Sequence, residues 1–307
     1  MTSMRPVLVV GPRHDPEARR VRAALRALGA STSLLNTAAF PEEEGLTLRD
    51  GVARRNGRAL PEPLAVYVRS IACNPYSPAY AADWKERPEG LMAQIGEKRS
   101  MLVSLLDLYA RRGVRVANPI RVNGQHGLKP YQLSLLAASD LPVPAWVATN
   151  EPDEARRFCA RAGEAVYKPL AGGATVHAVG PEDLTDARLD ALHAAPVLFQ
   201  KRIRGLSVRV YVVGDSVAAA GAIHSEELDY RCGEDRVEPI ALRPNERRMA
   251  ITAARACDMR FAGVDLIRGE DGKTWVIESN PSPMFAVFER KTGLDVAAPL
   301  AAHLADA

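Results

Sequence analysis

Lysine is scarce in this 307-residue chain: of its forty basic side chains, seven are Lys and the rest are Arg. Composition sets that ratio at most positions, but it makes any Lys at a motif position worth following. Cysteine is scarcer. Cys73, Cys159, Cys232 and Cys257 lie far apart, with no CxxC pair and no His at metal-ligand spacing. That excludes a cysteine-bound zinc site and a disulfide framework, and a reducing cytoplasm is the expected setting. Long apolar runs are missing too. No stretch of eighteen apolar residues occurs, and Met1 to Val10 has no long signal-type core, so neither a membrane span nor export is expected. The net charge is only +3 and the basic residues form no tail, which leaves nucleic-acid binding without an electrostatic footprint. The loop after the first strand, Gly11-Pro-Arg-His-Asp-Pro16, is not a GxGxxG fingerprint, so a nicotinamide oxidoreductase has no motif behind it.

With 47% apolar and 25% charged residues, the chain can build layers around a continuous core. Pro6 to Val10 reads as a buried strand, and Glu17 to Leu28 has helical apolar spacing ending at Gly29: a β-loop-α opening of an α/β domain. Further strands are expected at Ser31 to Leu35 and Ala65 to Val68, with short strands or loops over Pro41 to Pro63. Gly90 to Arg112 reads as a helix and Val114 to Ala117 as a strand, with a domain boundary near 117. A helix at Tyr131 to Ala138, a strand at Ala145 to Thr149, a helix at Pro152 to Ala162 and a strand at Ala165 to Lys168 follow. Strand-like runs at 197–203, 207–213, 217–223, 261–268 and 273–279 complete the pattern, two of their turns having hairpin chemistry.

Three segments carry chemistry. Phe261-Ala-Gly-Val-Asp-Leu-Ile267 puts Asp265 inside an apolar strand, where an unpartnered carboxylate is costly. After a tight turn, Glu278 and Asn280 stand two apart and leave the same face of the next strand. If the strands pair, three hard oxygen ligands converge, a set suited to magnesium bridged by nucleotide phosphates; the alternative is a pair of surface carboxylates at a strand end. Lys168 closes a strand ahead of Pro169-Leu-Ala-Gly-Gly-Ala-Thr-Val176, where Gly172 and Gly173 let backbone N–H groups approach an anion that the ammonium also meets. An ordinary hairpin with a solvated Lys is the competing reading. In the third segment, Pro196-Val-Leu-Phe-Gln-Lys-Arg-Ile203 is a strand running into a connection that could offer backbone groups to a flat base. Arg209, inside an alternating strand, and Arg231 could supply guanidinium groups to phosphate or carboxylate, or be exposed Arg in an Arg-rich chain.

The order of these motifs resembles the ATP-grasp superfamily, specifically the RimK-type ligases that join glutamate to a protein tail. Leu35 to Pro41, Val66-Tyr-Val-Arg69, Val147 to Pro152, Ser225 to Arg231 and Asn280-Pro-Ser-Pro283 look most like microviridin-type ligases, which tie acidic side chains of a ribosomal peptide to Thr, Ser or Lys. The resemblance implies an α/β (α+β) ATP-grasp fold: an N-terminal Rossmann-like pre-ATP-grasp domain (1–117), a central lid (118–198) and a C-terminal antiparallel-sheet domain (199–307). It implies ATP and Mg2+ as cofactors, with Lys129 and Lys168 on the phosphates and Gln200, Lys201, Arg202 and Ile203 as the adenine hinge. Asp265, Glu278 and Asn280 match the metal ligands, and Arg209 and Arg231 match arginines facing the acyl phosphate or acidic substrate. The chain departs from the pattern at Ser207, where relatives usually carry Asp, at the non-acidic hinge, and at Arg69-Ser-Ile, where microviridin-type enzymes have Arg-Arg-Pro. The expected activity is ATP-dependent ligation of a carboxylate, on an acidic peptide or a small carboxylate substrate. A RimK-like addition of a free amino acid and a non-catalytic nucleotide-binding module are the alternatives, and a homodimer is compatible with either.

Overall fold

The computed structural model describes residues 5–171, 175–225 and 236–306. The chain divides into two compact units, Met1–Ile120 with Ala297–Ala307, and Arg121–Val296.

In the first unit, strands β1 (Val7–Gly11), β2 (Thr32–Asn36), β6 (Ala65–Val68) and β7 (Arg115–Ala117) form a parallel sheet in the order β2-β1-β6-β7. Every residue of β1 and β6 is buried, as the run of Val, Leu, Ala and Tyr demands of a sheet covered on both faces. Helix α1 (Pro16–Ala27) starts where Asp15 accepts the backbone N–H of Ala18 at 2.8 Å and Pro16 pre-sets the first turn. Between β2 and β6, the segment expected as short strands or loops makes a three-stranded antiparallel sheet, β3 (Leu46–Arg49), β4 (Val52–Arg55) and β5 (Arg58–Ala59). Helices α2 (Ala81–Glu86) and α3 (Pro88–Arg111) follow, and Leu102, Leu105, Leu106 and Tyr109 of α3 pack with Leu8, Val66 and Val116 of the sheet.

The second unit opens within α4 (Ile120–Asn123), continues through α5 (Lys129–Ala138) and contains two antiparallel sheets. The smaller comprises β8 (Trp146–Thr149), β9 (Ala165–Pro169), β10 (His177–Ala178) and β11 (Val197–Lys201), in the order β10-β9-β11-β8. Helix α6 (Pro152–Ala162) buries Ala155, Phe158 and Cys159 against Phe199 and Ala165 of that sheet, together with Leu189 of the short helix α7 (Asp186–Leu189). The larger sheet comprises β12 (Gly205–Val213), β13 (Ser216–His224), β14 (Arg236–Pro239), β15 (Phe261–Gly269) and β16 (Thr274–Asn280), in the order β14-β13-β12-β15-β16. Helix α8 (Pro244–Ala256) covers its back: Ala250, Ala253 and Ala254 meet Val208, Val210, Val264 and Val276, and small residues on the helix allow the close approach. A short α9 (Ala286–Thr292) follows β16. The last helix, α10 (Ala297–Ala305), grouped by the sequence reading with the C-terminal domain, packs instead in the first unit along α1 and β6. No helix among the described residues is long and apolar enough to cross a membrane.

Candidate active site

Three adjacent strands of the large sheet place three charged residues in one row. Arg209 on β12 is directly opposite Asp265 on β15, and Asp265 is opposite Glu278 on β16. The irregularity in the β15–β16 register falls immediately after Asp265, a β-bulge of the kind that re-aims a side chain. The Arg209 guanidinium grips Asp265 twice, Nε to Oδ1 at 2.5 Å and Nη2 to Oδ2 at 3.1 Å. Lys129, at the first turn of α5, reaches Glu278 Oε2 at 2.7 Å. Asn280 lies on the same edge, where its Oδ1 accepts the backbone N–H of Ser282 at 3.0 Å and retains a second lone pair.

Lys168 and Gln200 come from the neighbouring strands β9 and β11 of the smaller sheet, where Leu198 is the register partner of Lys168. Both are buried, 6% and 2% exposed, so Lys168 is not the exposed side chain of the ordinary-hairpin reading. Lys168 Nζ donates to Gln200 Oε1 at 2.9 Å. An ammonium only donates, which fixes the orientation of the carboxamide and leaves Gln200 Nε2 as a buried donor without a partner.

All these side chains line one pocket. Among its described walls are Lys129, Lys168, Gln200, Lys201, Arg202, Ile203, Arg209, Asp265, Glu278 and Asn280, together with an apolar sleeve of Val166, Val176, Ile223 and Ile267. The calls at Gly172, Gly173 and Arg231 lie outside the described residues. The sequence reading passed over His126, which also lines the pocket, three residues ahead of Lys129. It also passed over Gly263, two residues before Asp265 and opposite Asn280, where a Cβ would stand 2.6 Å from Pro283 Cβ and 3.2 Å from Arg209 Nη1. Only glycine lets the turn after Asn280 close this tightly on the guanidinium. His126 has no motif around it, and Gly263 lies within the Asp265 segment, where its role comes from the tertiary approach.

Five cationic side chains against two carboxylates make the pocket a site for anions. Burial pushes the Glu278 carboxyl up, but the Lys129 and Lys168 ammonium groups outweigh it and hold the group at about 2. Burial raises Asp265, Arg209 opposes that effect, and the neighbouring Glu278 charge adds to it, leaving the Asp265 carboxyl above its usual range. Two carboxylates and an amide oxygen on the paired strands β15 and β16 are a hard-oxygen set that fits magnesium.

An anion-binding cleft lined by two antiparallel sheets, one bearing a buried Lys and the other an acidic strand edge, is the architecture of the ATP-grasp class. The ATP-grasp ligase PsnB, solved with a phosphomimetic variant of a minimal precursor, Mg and ADP, superposes with a TM-score of 0.90 at 34% identity over 97% of both chains. The macrocyclase MdnC of Microcystis aeruginosa MRC, bound to its precursor peptide MdnA, shares the fold at a TM-score of 0.83 and 20% identity, over 98% of this chain and 100% of its own. Residues 129–304 match the RimK-like ATP-grasp domain, and the chain belongs to that family. Among curated relatives, a probable alpha-L-glutamate ligase of Citrobacter koseri is 33% identical, and a ribosomal protein bS6--L-glutamate ligase of Escherichia coli K12 is 32% identical. Each match covers 54% of this chain, which spans about 59% of the relatives' length.

Proposed function

We propose that the protein is an ATP- and magnesium-dependent ligase that activates a carboxylate as an acyl phosphate and passes it to an amine or hydroxyl. The observation that carries this reading is the single pocket in which Lys168, Lys129, Arg209 and the Asp265–Glu278–Asn280 edge meet. Residues 118–198 serve as the lid and 199–296 as the main sheet domain, with the nucleotide held between their sheets.

Lys168 and Lys129 neutralise the phosphate chain, and the backbone of Lys201 to Ile203 borders the base beside the apolar sleeve. Asp265, Glu278 and Asn280 would hold magnesium, which would offset the charge of the transferring phosphoryl group. The substrate carboxylate oxygen attacks the γ-phosphorus and ADP leaves; the amine or hydroxyl then attacks the acyl carbon, its proton passes to solvent, and phosphate leaves. Arg209 borders this end of the pocket, where its guanidinium stabilises negative charge on the acyl group.

The substrate is a peptide whose acidic side chains are activated, giving ester or amide crosslinks. PsnB, similar over its whole length, was solved with precursor peptide, which supports that choice. A second reading, addition of a free amino acid, draws on the glutamate-ligase relatives. Incubation with acidic peptides, ATP and magnesium, followed by mass spectrometry, separates the two: a crosslink loses one water per bond, whereas addition gains a residue mass. Glu278→Ala is expected to abolish magnesium-dependent ADP release; release unchanged in this variant would refute the assignment.

A further inference from the structure

Among the described residues strand β16 is the edge of its sheet, so one side of it carries backbone groups with no strand partner, and Ser279 on it is buried. Such groups must find other partners. The Gln132 side chain supplies them at Ser279: its Oε1 accepts the Ser279 N–H at 2.9 Å and its Nε2 donates to the Ser279 carbonyl at 2.6 Å. Both residues are buried, 4% and 1% exposed, and 147 positions separate them in the chain. One carboxamide thus replaces a missing strand at a single residue.

The residue it clamps lies between Glu278 and Asn280. The Ser279 N–H belongs to the peptide plane shared with Glu278, and the Ser279 carbonyl to the plane shared with Asn280. Fixing both planes fixes the direction in which each neighbouring side chain leaves the backbone. The Ser279 side chain points the other way and donates to Met259 Sδ at 3.1 Å, which anchors the far side of the strand. Gln132 also sits three positions after Lys129 on α5, so one helix turn touches β16 twice, through the carboxamide and through the Lys129–Glu278 pair.

We infer that Gln132 is a positioning residue for the metal site: it sets the relative orientation of Glu278 and Asn280. The inference rests on the nucleotide and magnesium reading given above. It assigns the residue a cost beyond stability, because supports behind metal ligands typically contribute about 10- to 100-fold to metal affinity.

Binding of Mn2+ to the ADP complex of the full-length protein, read by the paramagnetic resonance of free Mn2+, tests it beside calorimetric titration of ADP without metal. In Gln132→Met, Mn2+ affinity in the ADP complex is expected to fall about tenfold or more, while metal-free ADP affinity, carried by Lys168 and the hinge, changes less than about twofold. Gln132→Glu keeps the acceptor for the Ser279 N–H and loses the donor, so it gives an intermediate loss and serves if the Met variant does not fold. A variant that melts earlier yet binds Mn2+ as tightly as the parent overturns the inference and leaves Gln132 a purely structural clamp. Failure of the unsubstituted protein's ADP complex to bind Mn2+ overturns the metal reading itself.

Discussion

Gln200 lines the pocket with its Nε2 amino group unpartnered, because Lys168 occupies its other end. A buried donor of this kind is satisfied when a ligand acceptor meets it, and the net gain for a neutral pair is about 1 kcal/mol. Gln200→Met keeps the volume and removes the donor, so ADP is expected to bind about five- to tenfold more weakly by calorimetry; unchanged affinity would show that nothing on the nucleotide meets Nε2. Much of this site was legible from single residues. Asp265 in an apolar strand, Glu278 and Asn280 two apart, and Lys168 ahead of a glycine pair each stand out at short range. Gln132, His126 and Gly263 do not, because each acquires its role from a residue distant in sequence. A Gln in a helix looks like any other until its partner strand is in place.

Helix α8 is tied to the large sheet by Glu246, its third residue, which is fully buried. The carboxylate accepts the Arg243 backbone N–H at 2.8 Å, two bonds from Arg268 at 2.8 and 2.7 Å, and the Thr274 hydroxyl at 3.1 Å. Burial pushes its pKa up, but the Arg268 and Arg243 bonds outweigh that and hold it below the usual carboxylate value. A depressed folded-state value means that the group contributes stability above the unfolded carboxylate value, about 4.3, and loses it as the pH falls through the folded one. Glu246→Gln leaves the Arg268 guanidinium without its charge partner. It is expected to destabilise the second unit by about 3 kcal/mol at pH 7 and to flatten the loss of stability as the pH falls below the unfolded carboxylate value, both measurable by urea unfolding across pH. The hairpin order and the β-loop-α opening were readable from period and turn chemistry. The three-stranded sheet within 46–59 was not, because strands of two to four residues offer too few periods to distinguish from loop.

The whole chain is stitched together by α10, which crosses back to the first unit. Val296, Ala297, Leu300, Ala301 and Leu304 are all fully buried there or at its entry. Leu300→Ala is expected to cost the first unit about 3 kcal/mol. Hydrogen exchange should quicken at the β1 and β6 amides and stay unchanged at β12 and β15; equal acceleration in both units would contradict the division. Position along the sequence gave no hint of this return, because the apolar spacing of 297–304 fits any nearby sheet. The same crossing sets a timetable for synthesis. The parallel sheet of the first unit emerges early, but its last covering helix leaves the ribosome only after the entire second unit has been made. At roughly 5–20 residues per second, that sheet waits about ten seconds or longer with apolar surface uncovered, so a chaperone engaged during translation would find its binding site on the first unit.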